Sequence, residues 1–283
     1  MSRQVRFSPR SLLAVLALGL LTTNGRAELI RIEVQNLSPT GGLFLTPFWV
    51  GFHSGGFDIY NIGAQASLGL ERIAEDGDVG QLRSEFAVAD PMGQDGVVLA
   101  PNGFPGAPVF DPGDSGALEI NVNPMTQRYF SYASMIIPSN DAFVANGNPM
   151  AHPLFDTLGN FLGTRTIDIV GDNVLDAGTE DNTEMDAAFF DQMAPNSGLT
   201  TANGSVQLHP GFIGSLGNPG GTRMILGGTS IAPPGFLFDE VLADFTQPGA
   251  VLGRITITRV PEPTSFALFL AAGAIGLRRR NRF

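Results

Sequence analysis

The 283-residue chain contains no lysine, no cysteine and only one tryptophan. Without cysteine there are no disulfides, thiolate metal sites or cysteine nucleophiles. Without lysine, the glycine clusters at 217–221 and 227–228 cannot be phosphate loops of the lysine-bearing kind. No Gly-x-Ser-x-Gly elbow and no His-Glu-x-x-His motif occurs. The three histidines, His53, His152 and His209, each sit beside turn residues and share no metal-ligand spacing, so they are read as structural.

Positive charge is also scarce. All 16 basic residues are arginine, four of them in the first 27 residues and four in the last six. Residues 28–260 keep eight arginines against 26 carboxylates, a formal charge of −18. Such a surface repels phosphate backbones, so nucleic acid is not an expected partner. It suits cations, and it equally suits the plainer task of keeping an exported protein soluble.

Glycine (36) and proline (20) are abundant, and 43% of the residues are hydrophobic. That combination describes many short elements joined by tight turns, which favours an all-β fold over disorder. Ile30, Ile32 and Val34 alternate with Arg31, Glu33 and Gln35, the two-residue period of a half-buried strand. Leu118, Ile120 and Val122 repeat the pattern, as do Ile255 and Ile257. Residues 130–137 form a continuous apolar run, as expected of a strand covered on both faces. Residues 224–226 and 236–241 are weaker strand candidates. Between 66 and 86 the period changes. Leu70, Ile73 and Ala74 recur at helical spacing, Gly77 would close that helix, and Asp78 with Gln81 reads as a capping box opening another. Trp49, Phe48 and Phe52 are assigned to the core. No internal repeat divides residues 28–260, so one domain is expected there.

The two ends read as sorting signals. Arg3, Arg6 and Arg10 precede an apolar run from Leu12 to Leu21, and Gly25-Arg26-Ala27 offers small residues for a signal peptidase. Residues 1–27 are therefore expected to be a cleaved signal peptide. At the other end, the apolar stretch 264–277 is by itself ambiguous between a membrane segment and a buried helix. The arginines that follow it favour a membrane reading with that end in the cytoplasm. Val260-Pro261-Glu262-Pro263, the apolar stretch and the arginine cluster together resemble the PEP-CTERM sorting signal of Gram-negative bacteria. The resemblance implies processing by an exosortase, with residues 261–283 a transient inner-membrane anchor and the product at the cell surface or in the extracellular matrix.

Within the middle, Thr46-Pro47, His53, Phe57-Asp58, Gly69-Leu70 and Ala74-Glu75-Asp76-Gly77 form an ordered string. Residues 134–143, ending Asn140-Asp141-Ala142-Phe143, and Asp176-Ala177-Gly178-Thr179-Glu180 follow. Together these resemble the spondin domain of F-spondin and mindin over roughly residues 30–258. The resemblance implies an antiparallel β-sandwich with one or two short helices in a long connection. It also implies calcium held at one end by Asp141, Asp176 and Glu180, and a role in adhesion or matrix binding. Glu180 stands where the animal proteins have aspartate, and their cysteines are missing.

The chemistry of the acidic stretch is consistent with that set. Calcium takes six to eight oxygen ligands, and Asp172, Asp176, Glu180, Asp181, Glu184 and Asp186 lie within 15 residues. Taken alone, they are compatible with a bound cation or with a solvated acidic loop. They are not an EF-hand, because Val174 and Ala177 occupy positions that need a ligand and a glycine. Asp58 and Glu119 are further ligand candidates that no spacing selects. Three readings remain: a calcium-binding, non-enzymatic module for extracellular polysaccharide or a surface protein, a secreted hydrolase working through a carboxylate pair, and a purely structural role in a biofilm matrix with no specific ligand. No feature of the sequence singles out such a pair.

Overall fold

The structure, a computed structural model, describes residues 27–101 and 108–261. The expected signal peptide up to Arg26 and the sorting tail from Glu262 onward, including Pro263, lie outside the described residues. In chain order the strands are β1 (Glu28–Asn36), β2 (Phe44–Leu45), β3 (Phe48–His53), β4 (Gln94–Val98), β5 (Ser115–Val122), β6 (Tyr129–Ile137) and β7 (Ala142–Ala145). They continue with β8 (Arg165–Val170), β9 (Leu175–Asp176), β10 (Gln207–Leu208), β11 (Thr229–Ile231), β12 (Pro234–Leu237) and β13 (Val251–Arg259). Two helices, α1 (Leu68–Asp76) and α2 (Gly80–Ala89), occupy the connection between β3 and β4. Among the described residues no helix is long and apolar enough to cross a membrane.

The expected all-β antiparallel architecture is observed. A four-stranded sheet runs β5-β1-β13-β8, and a larger sheet runs β10-β9-β7-β6-β3-β4 with β2 paired to β6. The small sheet is two-faced because its strands alternate. Ile30, Ile32, Val34, Ile255 and Ile257 are buried in the main core. Arg31 sits opposite Glu119, and Arg254 opposite Asp168, on the solvent face. Exposed pairs of this kind contribute little to stability; their role is to keep the outer face wet.

The large sheet is covered on both faces, which is why its strands show no simple period. In β3, Phe48, Val50 and Phe52 join the core between the sheets, while Trp49 joins a second cluster beneath the helices. Strand β6 is buried along nearly its whole length, as its continuous apolar run requires. The helices supply Leu70, Ile73, Leu82 and Phe86 to the second cluster, where Phe86 meets Trp49 edge-on at 5.3 Å. Ser67 caps α1 by accepting from the Leu70 N–H, and Gly77 ends it in the left-handed conformation.

Two local expectations are corrected. Asp78 does not cap α2: the N-cap is Val79, and the Asp78 carboxylate accepts from the Gly80 N–H instead. Residues 224–226 form no strand. The Met224 and Ile225 N–H groups point at the buried Glu184 carboxylate, an acceptor that competes with any strand partner. The second weak candidate is realised only where β12 covers Phe236 and Leu237.

Candidate functional site

The site grows out of the turn between β6 and β7. Asp141 ends that turn, and Asp176 ends β9, which pairs with β7 so that Ala142 faces Asp176. The Ala177 N–H donates to the Asp141 carbonyl at 3.2 Å, holding the two strand ends together. Beyond β9 the chain turns back at Gly178, whose φ of +69° and close approach to the Ser205 backbone exclude a side chain. That turn returns Thr179 and Glu180 to Asp141. The three sequence-predicted ligands therefore share one end of the large sheet, and all are buried: Asp141 at 0% exposure, Asp176 at 2% and Glu180 at 6%.

Their oxygens are not equally engaged. Asp141 Oδ2 accepts from the Thr179 N–H at 2.7 Å, the Thr179 hydroxyl at 3.1 Å and the Glu180 N–H at 3.0 Å. Asp141 Oδ1 is buried without a partner. Asp176 uses both oxygens, accepting from the Gly178 N–H and from the Asn182 and Gln207 side-chain amides. Glu180 Oε1 accepts from the Gly198 N–H at 3.0 Å. In this arrangement no group of three or more Asp, Glu or His among the described residues is disposed to hold a metal ion.

Electrostatics couples the members. Burial, with the nearby Asp176, pushes the Asp141 carboxyl up to about 6 despite its N–H donors. Glu180 is pushed up to about 8, by burial first and by Glu75 second. Glu75, on α1 and 6% exposed, is itself held at about 7, chiefly by burial. A buried carboxylate without a counter-charge takes up a proton because the ionised form loses its hydration. Protons or a cation can satisfy this cluster, and Asp141 Oδ1 is the atom whose unmet need fits a hard cation. Asp141, Asp176 and Glu180 are oxygen ligands of the type calcium takes, but as arranged here their side chains do not converge on one ion position.

Glu75 is the member that sequence reading missed as a site residue. It adjoins Ala74 on the buried face of α1, and only the packing of α1 onto the large sheet brings it near Glu180. Glu75, Thr179 and Glu180 line a cleft of about 400 Å³, which gives solvent access to one side of the cluster. The remaining acids serve the loops. Glu184 accepts from the N–H groups of Ile213, Met224 and Ile225, and Asp181 accepts from the Thr201 hydroxyl. Asp172 is exposed. Of the extra candidates, Glu119 faces solvent on the small sheet, and Asp58 is bonded to Asn61.

His53 and His209 are structural in their contacts. His53 is fully buried between the Ser131 hydroxyl and the Gly55 N–H. His209 accepts from the Gly211 N–H. Compared with known protein families and with curated proteins, the chain finds no match in either.

Proposed function

We propose that the chain is an exported calcium-binding module for adhesion or matrix interaction, sorted to the cell surface or matrix through its two terminal signals. The observation that supports this most directly is Asp141: a fully buried carboxylate with one oxygen held by three donors and the other unpartnered. Asp141 would anchor the ion, with Asp176 and Glu180 exchanging their present N–H and amide donors for it. Bound calcium would supply the positive charge that lets all three stay ionised away from water. The domain's role would be binding, not turnover, with extracellular polysaccharide or a surface protein as partner and exosortase as its processing enzyme.

One observation speaks to the hydrolase reading. Glu75 and Glu180 border the same cleft, as an acid–base pair would. Acid–base work, however, needs one carboxyl held protonated and its partner ionised. Here burial raises both in the same direction, so the surroundings do not set one apart as acid and the other as base. Binding is therefore the better reading of the site. Calorimetric titration of calcium into the metal-free protein, with Asp141→Asn beside it, tests it. A saturable heat in the parent that is lost in the variant is expected; no heat in the parent would remove calcium from the account. Turnover of glycan or peptide substrates that disappears in Glu75→Gln would favour the hydrolase.

A further inference from the structure

The two sheets end differently. The large sheet carries β9 and β10 beyond β7, whereas the small sheet stops at β8 with no strand beside it. In an antiparallel ladder, alternate residues turn their main-chain groups toward the partner. The Gly171 N–H donates to the Ala250 carbonyl at 2.9 Å, next to the Val170–Val251 pair, so Ile169, Ile167 and Arg165 bond β13. Thr166, Asp168 and Val170 therefore turn their N–H and C=O groups outward, where they have no partner among the described residues. The other edges are closed or short. Strands β4 and β5 pack against each other: a Cβ on Gly96 would come within 2.5 Å of Leu118, and Gly116 backs onto the Leu99 carbonyl too closely to admit one. Strand β10 has only two residues.

A cavity of about 640 Å³ runs along the β8 edge. Ile167, Asp168 and Ile169 all line it although their side chains alternate between the faces, so its wall includes the backbone edge itself. Val144 of β7, buried in the core between the sheets, lines it too. On its rim Ile62 and Leu208 are each 62% exposed. Arg165 shares the inward face of β8 with Ile167 and Ile169. Its Nη2 donates to the Ala151 carbonyl at 3.0 Å, and it has no carboxylate partner among the described residues. Asp168, in contrast, is already held by Arg254 at 2.6 Å on the solvent face.

These features call for a backbone. Three outward sets of N–H and C=O groups at strand spacing match a chain of peptide groups, and a sugar or a lipid has no such row. The cavity suits the side chains that an added strand points inward, every second one of them apolar. Every pairing in the small sheet is antiparallel. An antiparallel guest brings its C-terminal end to Arg165, whose charge suits a carboxylate. A second copy would bring another domain of formal charge −18 to the same edge, which repulsion opposes. We infer that β8 receives an extended peptide strand of another protein, with alternate apolar side chains in the cavity and a carboxylate beside Arg165.

The test is fluorescence anisotropy with a labelled eight-residue peptide that alternates valine with threonine and ends in a free carboxylate. It is titrated with the full chain in EDTA, which keeps failure of this edge distinct from failure of the calcium reading. Saturable binding is expected. Two forms of the peptide, N-methylated on one or the other alternate set of amides, should differ: one loses affinity about tenfold or more and the other keeps it. Thr166→Pro removes an N–H that points away from the sheet, a change that an edge strand tolerates. It should keep the parent's melting temperature and lower peptide affinity about tenfold or more. Amidating the peptide's C-terminus should weaken binding about two- to fivefold, and Arg165→Gln should erase that difference. If Thr166→Pro does not fold, the two N-methylated peptides on the parent decide alone. No binding to the parent, equal affinity for the two N-methylated forms, or a carboxylate preference that survives Arg165→Gln would each overturn the inference. So would a parent dimer in sedimentation that Thr166→Pro dissolves, because the edge would then hold a second copy.

Discussion

Glu180 is tied to Asp141 through its backbone and repelled from it through its side chain. The Glu180 N–H donates to Asp141 Oδ2 at 3.0 Å, while burial, Glu75 and then the Asp141 carboxylate raise the proton affinity of the Glu180 side chain. The fold therefore holds in place a repulsion that protonation or a bound cation relieves.

The first expected consequence is a calcium-dependent melting temperature. A ligand at about 100 times its dissociation constant adds about 2.7 kcal/mol, and in a domain of this size each kcal/mol moves the midpoint by about 2–4 °C. Calcium should thus raise the midpoint by about 5–10 °C over EDTA, as read by differential scanning calorimetry.

Asp141→Asn separates charge from shape. The amide oxygen can still accept from Thr179 and Glu180, so the turn keeps its hydrogen bonds, but the anion is gone. We expect a metal-free melting temperature equal to or above the parent's and no response to calcium. Asp141→Ala instead leaves those donors unsatisfied and should destabilise by about 1–3 kcal/mol, measured by urea unfolding.

The pH dependence has two opposed parts. Glu75, Asp141 and Glu180 have folded-state values raised to about 7, 6 and 8. Their contribution is present below the unfolded carboxyl range and is lost as pH rises toward 8, because the folded state holds protons that the unfolded chain releases. His53 and His152 are lowered to about 4, mainly by burial. The unfolded chain then takes up protons that the folded state refuses, so stability falls as pH drops from 6.5 toward 4. Without metal, denaturation midpoints should peak in mildly acidic solution. Calcium should flatten the alkaline side only.

Glu184 organises a long loop. It is 3% exposed and accepts from the Ile213, Met224 and Ile225 N–H groups. Glu184→Ala strands three donors and should lower stability by about 3 kcal/mol. Limited proteolysis should then open the 210–228 segment before the sheets.

Gly178→Ala tests the turn that returns Glu180 to Asp141. An alanine there meets the Ser205 backbone at 2.5 Å and must hold a positive φ. A loss of about 1–3 kcal/mol is expected, together with a weakened calcium response. A calcium response equal to the parent's would mean that this turn does not set the site.

Much of the sandwich was legible because its outer sheet is amphipathic. Alternation marked β1, β5 and β13, helical spacing marked α1, and the continuous run marked β6. Strand β3 escaped that reading: Phe48, Val50 and Phe52 face one cluster and Trp49 the other, so both faces are apolar and no period remains. The 224–226 turn was misread because Ile225 and Leu226 are buried by loop packing, which looks the same in sequence as burial by a sheet. Asp141, Asp176 and Glu180 were named from a resemblance; the structure places them at one end of the large sheet but not as a group disposed to hold a metal ion. Glu75 was not named as a site residue, since nothing in its own helix distinguishes it from a solvated acid.

The order of residues alone determined which strand faces are wet, the absence of cysteine and lysine chemistry, and the strong negative charge of residues 28–260. Only the tertiary structure decided which acids lose their water together. Pairing of β7 with β9, and docking of α1 over them, joins stretches far apart in the chain. The field at a carboxyl group depends on what lies across space from it, and a one-dimensional pattern does not contain those distances.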